Sequence, residues 1–86
     1  MTSSMTKVKL MFFATLRDRA GTRSADIQIP DGTTVRGLKD RVAHDYPNLV
    51  PALKSVLIAV NREYASEDAL IPDNAEVALF PPVSGG

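Results

Sequence analysis

Few side chains in this sequence are equipped for covalent or acid–base chemistry. Cysteine is absent, which excludes disulfides, thiol nucleophiles and cysteine metal sites, and a single histidine, His44, gives no basis for a zinc cluster. His44 falls near the end of the clearest expected helix, where a cation interacts favourably with the helix dipole, so it reads as structural. Glu67 and Asp68 are adjacent acids in an expected loop with no evident basic or hydroxyl partner, and they read as solvated. Arg17 follows the first expected strand, where it suits a solvated surface position or a pair with an acid on a partner. What remains is the ending Phe80-Pro81-Pro82-Val83-Ser84-Gly85-Gly86. Two prolines cannot continue a sheet ladder and favour an extended polyproline path, on which residues 82–86 reach roughly 15 Å. Gly85 and Gly86 have no side chain to block a narrow tunnel, and they adopt many backbone angles. A stiff base with a slim tip suits insertion into another protein's active site. Taken alone, Gly-Gly is equally an inert end, so its meaning depends on the body that carries it.

That body is legible from periodicity. Residues 7–14 alternate as a strand, with Val8, Leu10, Phe12 and Ala14 on one face and Lys7, Lys9, Met11 and Phe13 on the other. Residues 15–20 suit one short helical turn capped by Gly21, and residues 24–29 a second strand with Ile27 and Ile29 on a shared face. After the Pro30-Asp31-Gly32 turn, residues 35–46 form the main helix. Thr33 or Thr34 caps it, Val35, Leu38, Val42 and Tyr46 make its apolar stripe, and Tyr46-Pro47 stops it. Gly37 inside this helix suggests close packing on a sheet. A short irregular or helical connection then leads to a strand at residues 56–60, a turn at residues 61–63, a brief return strand at residues 64–65 and a last strand at residues 76–80. One long helix must then cover one face of one mixed sheet, a two-layer α+β arrangement in the order of the ubiquitin-like β-grasp fold. The expected organisation is a disordered tail at residues 1–6, a single domain at residues 7–81 and an extended flexible tail at residues 82–86.

With Val8, Leu10 and Phe12 turned toward the helix, Met11 and Phe13 must face away from it. Val77 and Leu79 then join the core while Ala78 and Phe80 point outward. Neighbouring first and last strands bring Met11, Phe13, Ala78 and Phe80 onto one open apolar surface flanked by Tyr64, the kind of patch that marks a partner site.

Composition agrees with a small carrier or binding module. Eighty-six residues suit one domain with little spare core for a deep catalytic pocket, and 44% hydrophobic with 23% charged residues is an ordinary globular balance. Ten Lys and Arg against ten Asp and Glu give no basic excess of the kind nucleic-acid binding requires. No apolar run approaches the roughly 20 residues that span a bilayer, and the opening Met1-Thr2-Ser3-Ser4-Met5 lacks a signal-peptide pattern. The expectation is a cytoplasmic protein without nucleic-acid or membrane partners.

Three stretches carry a resemblance: Val8-Lys9-Leu10-Met11-Phe12-Phe13-Ala14 followed by Leu16-Arg17, Ala59-Val60-Asn61, and the run from Glu76 through Phe80-Pro81-Pro82-Val83-Ser84-Gly85-Gly86. Together they resemble the small subunit of molybdopterin synthase, in the MoaD/ThiS group of sulfur carriers. The resemblance implies that an E1-like adenylyltransferase joins the Gly86 carboxylate to AMP from ATP, and that a persulfide-derived sulfur then leaves a thiocarboxylate. A free C-terminal carboxylate, with a pKa near about 3.5, is ionised and a poor electrophile, so activation is chemically necessary. The resemblance further implies that the large synthase subunit accepts the tail and passes sulfur to cyclic pyranopterin monophosphate, in a heterotetramer with two copies of each subunit. Gly86 is then the reacting residue and Gly85 gives it access. Met11, Phe13, Tyr64, Phe80, Pro82, Val83 and Ser84 hold partners, and no metal or permanently bound cofactor is needed. A carrier for thiazole, cysteine or tRNA thiolation, or a ubiquitin-like modifier, would use the same tail.

Overall fold

A computed structural model of the chain describes residues 4–82. Strand β1 (Met5–Phe12) alternates as its sequence demands, with Val8, Leu10 and Phe12 no more than 2% exposed while Lys7 and Lys9 face solvent. It pairs antiparallel with β2 (Ser24–Pro30), from Met5 opposite Pro30 to Met11 opposite Ser24. Helix α1 (Thr15–Ala20) lies between them and buries Leu16. It ends at Gly21, whose φ of 78° is the left-handed cap conformation that glycine enters without a Cβ penalty.

Both ends of β1 differ from the sequence expectation. The strand begins at Met5 rather than residue 7, so residues 5 and 6 belong to the sheet and not to a disordered tail. Pairing with β2 extends to Pro30, and Thr6, only 4% exposed, donates its hydroxyl to Asp31 Oδ1 at 2.6 Å. At the other end Ala14 has left the strand: its φ of 53° turns the chain into α1, and Leu16 N–H donates to the Phe13 carbonyl at 3.0 Å.

Helix α2 (Val35–Asp45) is the only helix longer than six residues among the described ones. Thr34 caps it, its Oγ1 accepting from Gly37 N–H at 3.3 Å. Val35, Leu38 and Val42 are at most 1% exposed, and Tyr46, just past the helix end, sets its ring edge-on to Phe12 at 5.2 Å. Gly37 does not make the close sheet contact that the sequence suggests. A Cβ there would meet the Thr33 methyl at 3.0 Å, so the glycine relieves the capping turn. A 3₁₀ turn (Pro47–Leu49) and helix α3 (Val50–Leu53) follow, inserting Leu49 and Leu53 into the core.

Strands β3 (Leu57–Val60), β4 (Glu63–Tyr64) and β5 (Ala75–Phe80) complete one mixed sheet in the order β2-β1-β5-β3-β4. β1 and β5 run parallel in the middle, an arrangement that needs a long crossover, and α2 lies within that crossover. Ala75, Val77 and Leu79 are fully buried. The result is the α+β β-grasp arrangement expected from the element order.

Glu67 and Asp68 have the basic partners that linear sequence hid. Glu67 bridges Lys39 at 2.8 Å and Arg36 at 3.4 Å, while Asp68 pairs with Arg36 at 3.1 Å. Arg36 N–H and Val35 N–H donate to the Glu67 and Ala69 carbonyls, so the loop supplies partners for the first turn of α2. The Lys39 hydrogen bond and charge, aided by Arg36, hold the Glu67 carboxyl below its usual 4.5. A depressed carboxylate contributes stability above its unfolded pKa and loses it as the pH falls through the folded value. Wild type should therefore lose urea resistance more steeply below pH 4.5 than Glu67→Gln does, by a small margin because the pair is solvent-screened. Parallel curves for the two proteins would remove the clamp from the account.

Candidate functional site

The sheet face away from α2 is built by the same alternation that fills the core. Register places Met11 beside Ala78, Ala78 opposite Ala59 and Ala59 opposite Tyr64, a row across four strands. In the next row Leu57 stands opposite Phe80. Phe13 N–H donates to the Leu79 carbonyl at 3.2 Å, extending the parallel ladder one residue beyond β1 and bringing Phe13 beside Phe80. Their rings stack at 4.7 Å and 13°, and Tyr64 meets Phe80 edge-on at 6.4 Å.

Phe80 is thus the centre of a three-ring cluster. Tyr64 is 75% exposed, Phe13 41% and Leu57 38%, so much of this aromatic and aliphatic surface meets water. The small side chains of Ala59 and Ala78 leave a shallow cavity of about 450 Å³ beneath the rings. A larger depression of about 610 Å³ lies at the other end of β1 and β2, around Lys7, Lys9, Asp26 and Gln28, and lacks aromatic residues.

The hairpin that carries Tyr64 is held firmly. Asn61 and Arg62 form a two-residue loop with φ of 51° and 73°, the left-handed pair that suits a tight antiparallel connection. Asn61 Oδ1 accepts from Glu76 N–H at 2.9 Å, and Asn61 N–H donates to the Glu76 carbonyl at 2.8 Å. The loop is therefore fastened to β5, which fixes Tyr64 relative to Phe80.

Of the residues singled out from sequence, Met11, Phe13, Tyr64 and Phe80 come together. Pro82 is exposed beyond the end of β5, and Val83, Ser84, Gly85 and Gly86 lie outside the described residues. Leu57, Ala59 and Arg62 join the face without having been expected there. For Leu57 and Ala59 the alternation of residues 57–60 contained the signal, since Ile58 is buried and its neighbours must point the other way. His44 is exposed in the last turn of α2. Among the described residues no group of His, Asp and Glu is arranged to hold a metal, and no helix is long and apolar enough to cross a membrane.

The geometry is that of an exposed aromatic face with β5 ending inside it at Phe80, after which Pro81 and Pro82 follow. The chain is 40% identical over 81 residues to the molybdopterin synthase sulfur carrier subunit of Dictyostelium discoideum, covering 91% of this chain and 94% of that protein. It superposes on a putative molybdopterin converting factor subunit 1 from Pyrococcus furiosus with a TM-score of 0.83 and 32% identity, over 91% of this chain and 99% of that one. The small archaeal modifier protein 1 from Methanosarcina acetivorans gives a TM-score of 0.81 and 27% identity, over 96% and 99% of the two chains. The ThiS family model matches residues 10–86, from the middle of β1 through the terminal Gly-Gly, and the chain belongs to the ThiS family.

Proposed function

We propose that this chain is the sulfur carrier subunit of a molybdopterin synthase. Its Gly86 carboxylate is adenylated by an E1-like enzyme using ATP, converted to a thiocarboxylate, and used to donate sulfur to cyclic pyranopterin monophosphate. The observation that carries this reading is the exposed Phe13–Phe80–Tyr64 cluster at the root of the Pro-Pro-Val-Ser-Gly-Gly tail, in a chain whose relatives are named for that role.

The chemistry asks little of this chain beyond docking and access. Adenylation turns an unreactive carboxylate into a mixed anhydride; the outer sulfur of a persulfide displaces AMP to give an acyl disulfide, and a second thiol cleaves its S–S bond, leaving the thiocarboxylate and a disulfide. Two transfers to the pterin precursor then build the dithiolene of molybdopterin. Gly86 reacts and Gly85 keeps the approach narrow. Met11, Phe13, Tyr64, Phe80, Pro82, Val83 and Ser84 are the partner-facing residues. Acid, base and metal chemistry belong to the partners, the synthase large subunit and the adenylyltransferase. The working assembly is a cytoplasmic heterotetramer with two copies of each synthase subunit.

The likeness to an archaeal modifier protein favours one second reading, in which the activated Gly86 ends on a lysine amine as an isopeptide. One experiment separates the two. The full chain and a variant lacking Gly86 are incubated with an E1-like enzyme, ATP and a sulfur donor, and their intact masses are taken. A gain equal to the difference between sulfur and oxygen, seen only in the full chain, is expected, followed by transfer to the pterin when the large subunit is added. Attachment to protein lysines without any thiocarboxylate would establish the modifier reading. No change with a competent enzyme would end both.

A further inference from the structure

The two-residue loop between β3 and β4 is built with an unfavourable residue. Asn61 is well suited to its left-handed φ of 51°, and it is the residue whose side chain locks the loop to Glu76. Arg62, at φ 73°, gains nothing comparable. Glycine is the least strained choice at the second position of such a loop, because any Cβ there crowds the following carbonyl. The arginine side chain nevertheless lines the same 450 Å³ cavity as Met11, Tyr64 and Phe80. Two acids are close in sequence or space: Glu63 adjoins it and Glu76 lines the same cavity. Yet among the described residues Arg62 makes no ion pair and no side-chain hydrogen bond. An exposed guanidinium with no partner among the described residues thus stands at the rim of an exposed aromatic face, on a backbone that disfavours it. Strain retained where a neutral alternative exists points to use.

We propose that Arg62 is a specificity residue of the docking face, held in the left-handed conformation to meet a carboxylate on a protein partner. The partner surface that fits is an apolar seat for Phe13, Phe80 and Tyr64 with an acidic group at its edge. This rests on the reading of that face as a docking site and adds the chemistry of its rim. A rim cation acts chiefly on encounter: it raises the association rate at low salt and selects against partners with a basic or apolar edge.

The test uses the full chain with purified synthase large subunit, measuring association at low and high salt together with thermal unfolding of the free chain. Arg62→Gly should raise the melting temperature by roughly 2–4 °C, because it removes the Cβ strain. Arg62→Gln should leave the melting temperature unchanged and slow association about 3–5-fold at low salt, a deficit that closes at high salt and that Arg62→Lys largely repairs. A wild-type association rate for Arg62→Gln at both salts, with binding lost in Phe13→Glu, would overturn the role of Arg62 while leaving the docking face intact. Unchanged binding in Phe13→Glu would instead remove the docking face itself. If Phe13→Glu does not fold, Tyr64→Ser, at a position 75% exposed, provides the same comparison. No gain in melting temperature for Arg62→Gly would remove the strain from the argument and overturn the proposal as stated.

Discussion

Phe80→Ala is expected to weaken binding to the synthase large subunit by roughly 30- to 700-fold while the protein stays folded. Phe80 holds the centre of the exposed cluster, stacked on Phe13 at 4.7 Å and edge-on to Tyr64 at 6.4 Å. Aromatic residues at the centre of an interface typically carry about 2–4 kcal/mol, which converts to that range of affinity. Truncation also leaves Phe13 and Tyr64 without the ring that orients them, so the loss exceeds that of a single contact. The cost to the free chain is smaller, because Phe80 is only partly buried and each aromatic pair adds about 0.5–1.5 kcal/mol. Calorimetric titration against the large subunit, paired with urea unfolding of the variant, separates the two effects. Affinity within threefold of wild type would show that the face docks nothing in this complex. Deleting Gly86 offers the complementary pattern, since it should abolish sulfur loading yet leave the aromatic surface and its affinity largely in place.

Leu38→Ala should have the largest effect on the fold. Leu38 lies in the middle of the apolar stripe of α2 and is fully buried in the core. Removing a buried leucine side chain costs about 3–5 kcal/mol, the lost transfer energy plus the cavity left behind. The total stability of an 86-residue domain is only about 4–13 kcal/mol, so much or all of it disappears. Urea unfolding followed by circular dichroism measures the change. Leu70→Ala, at a position 66% exposed, is the matched control and should shift stability by less than about 0.5 kcal/mol. A loss below about 1 kcal/mol at Leu38 would mean that α2 is not the cover of this sheet.

Linear sequence settled the parts of this protein that depend on local periodicity and on chemical type. Alternation in residues 7–13 sorted Val8, Leu10 and Phe12 from Met11 and Phe13, because successive strand residues must point to opposite faces. The stripe of Val35, Leu38 and Val42 placed α2, and Tyr46-Pro47 ended it, since a residue before proline avoids the α region. Tertiary structure decided what depends on partners distant in sequence. β1 begins at Met5 because Pro30 and Asp31 are there to pair with its first residues, and it ends before Ala14 because the chain must turn into α1. Glu67 and Asp68 stay exposed as expected, but they gained basic partners only when α2 brought Arg36 and Lys39 alongside. Arg62 reached the aromatic face only through the pairing of β3 with β5 and the lock between Asn61 and Glu76. A side-chain period is written within a few residues, whereas strand register and ion pairing are set by which segments the folded core brings within a few ångströms of one another.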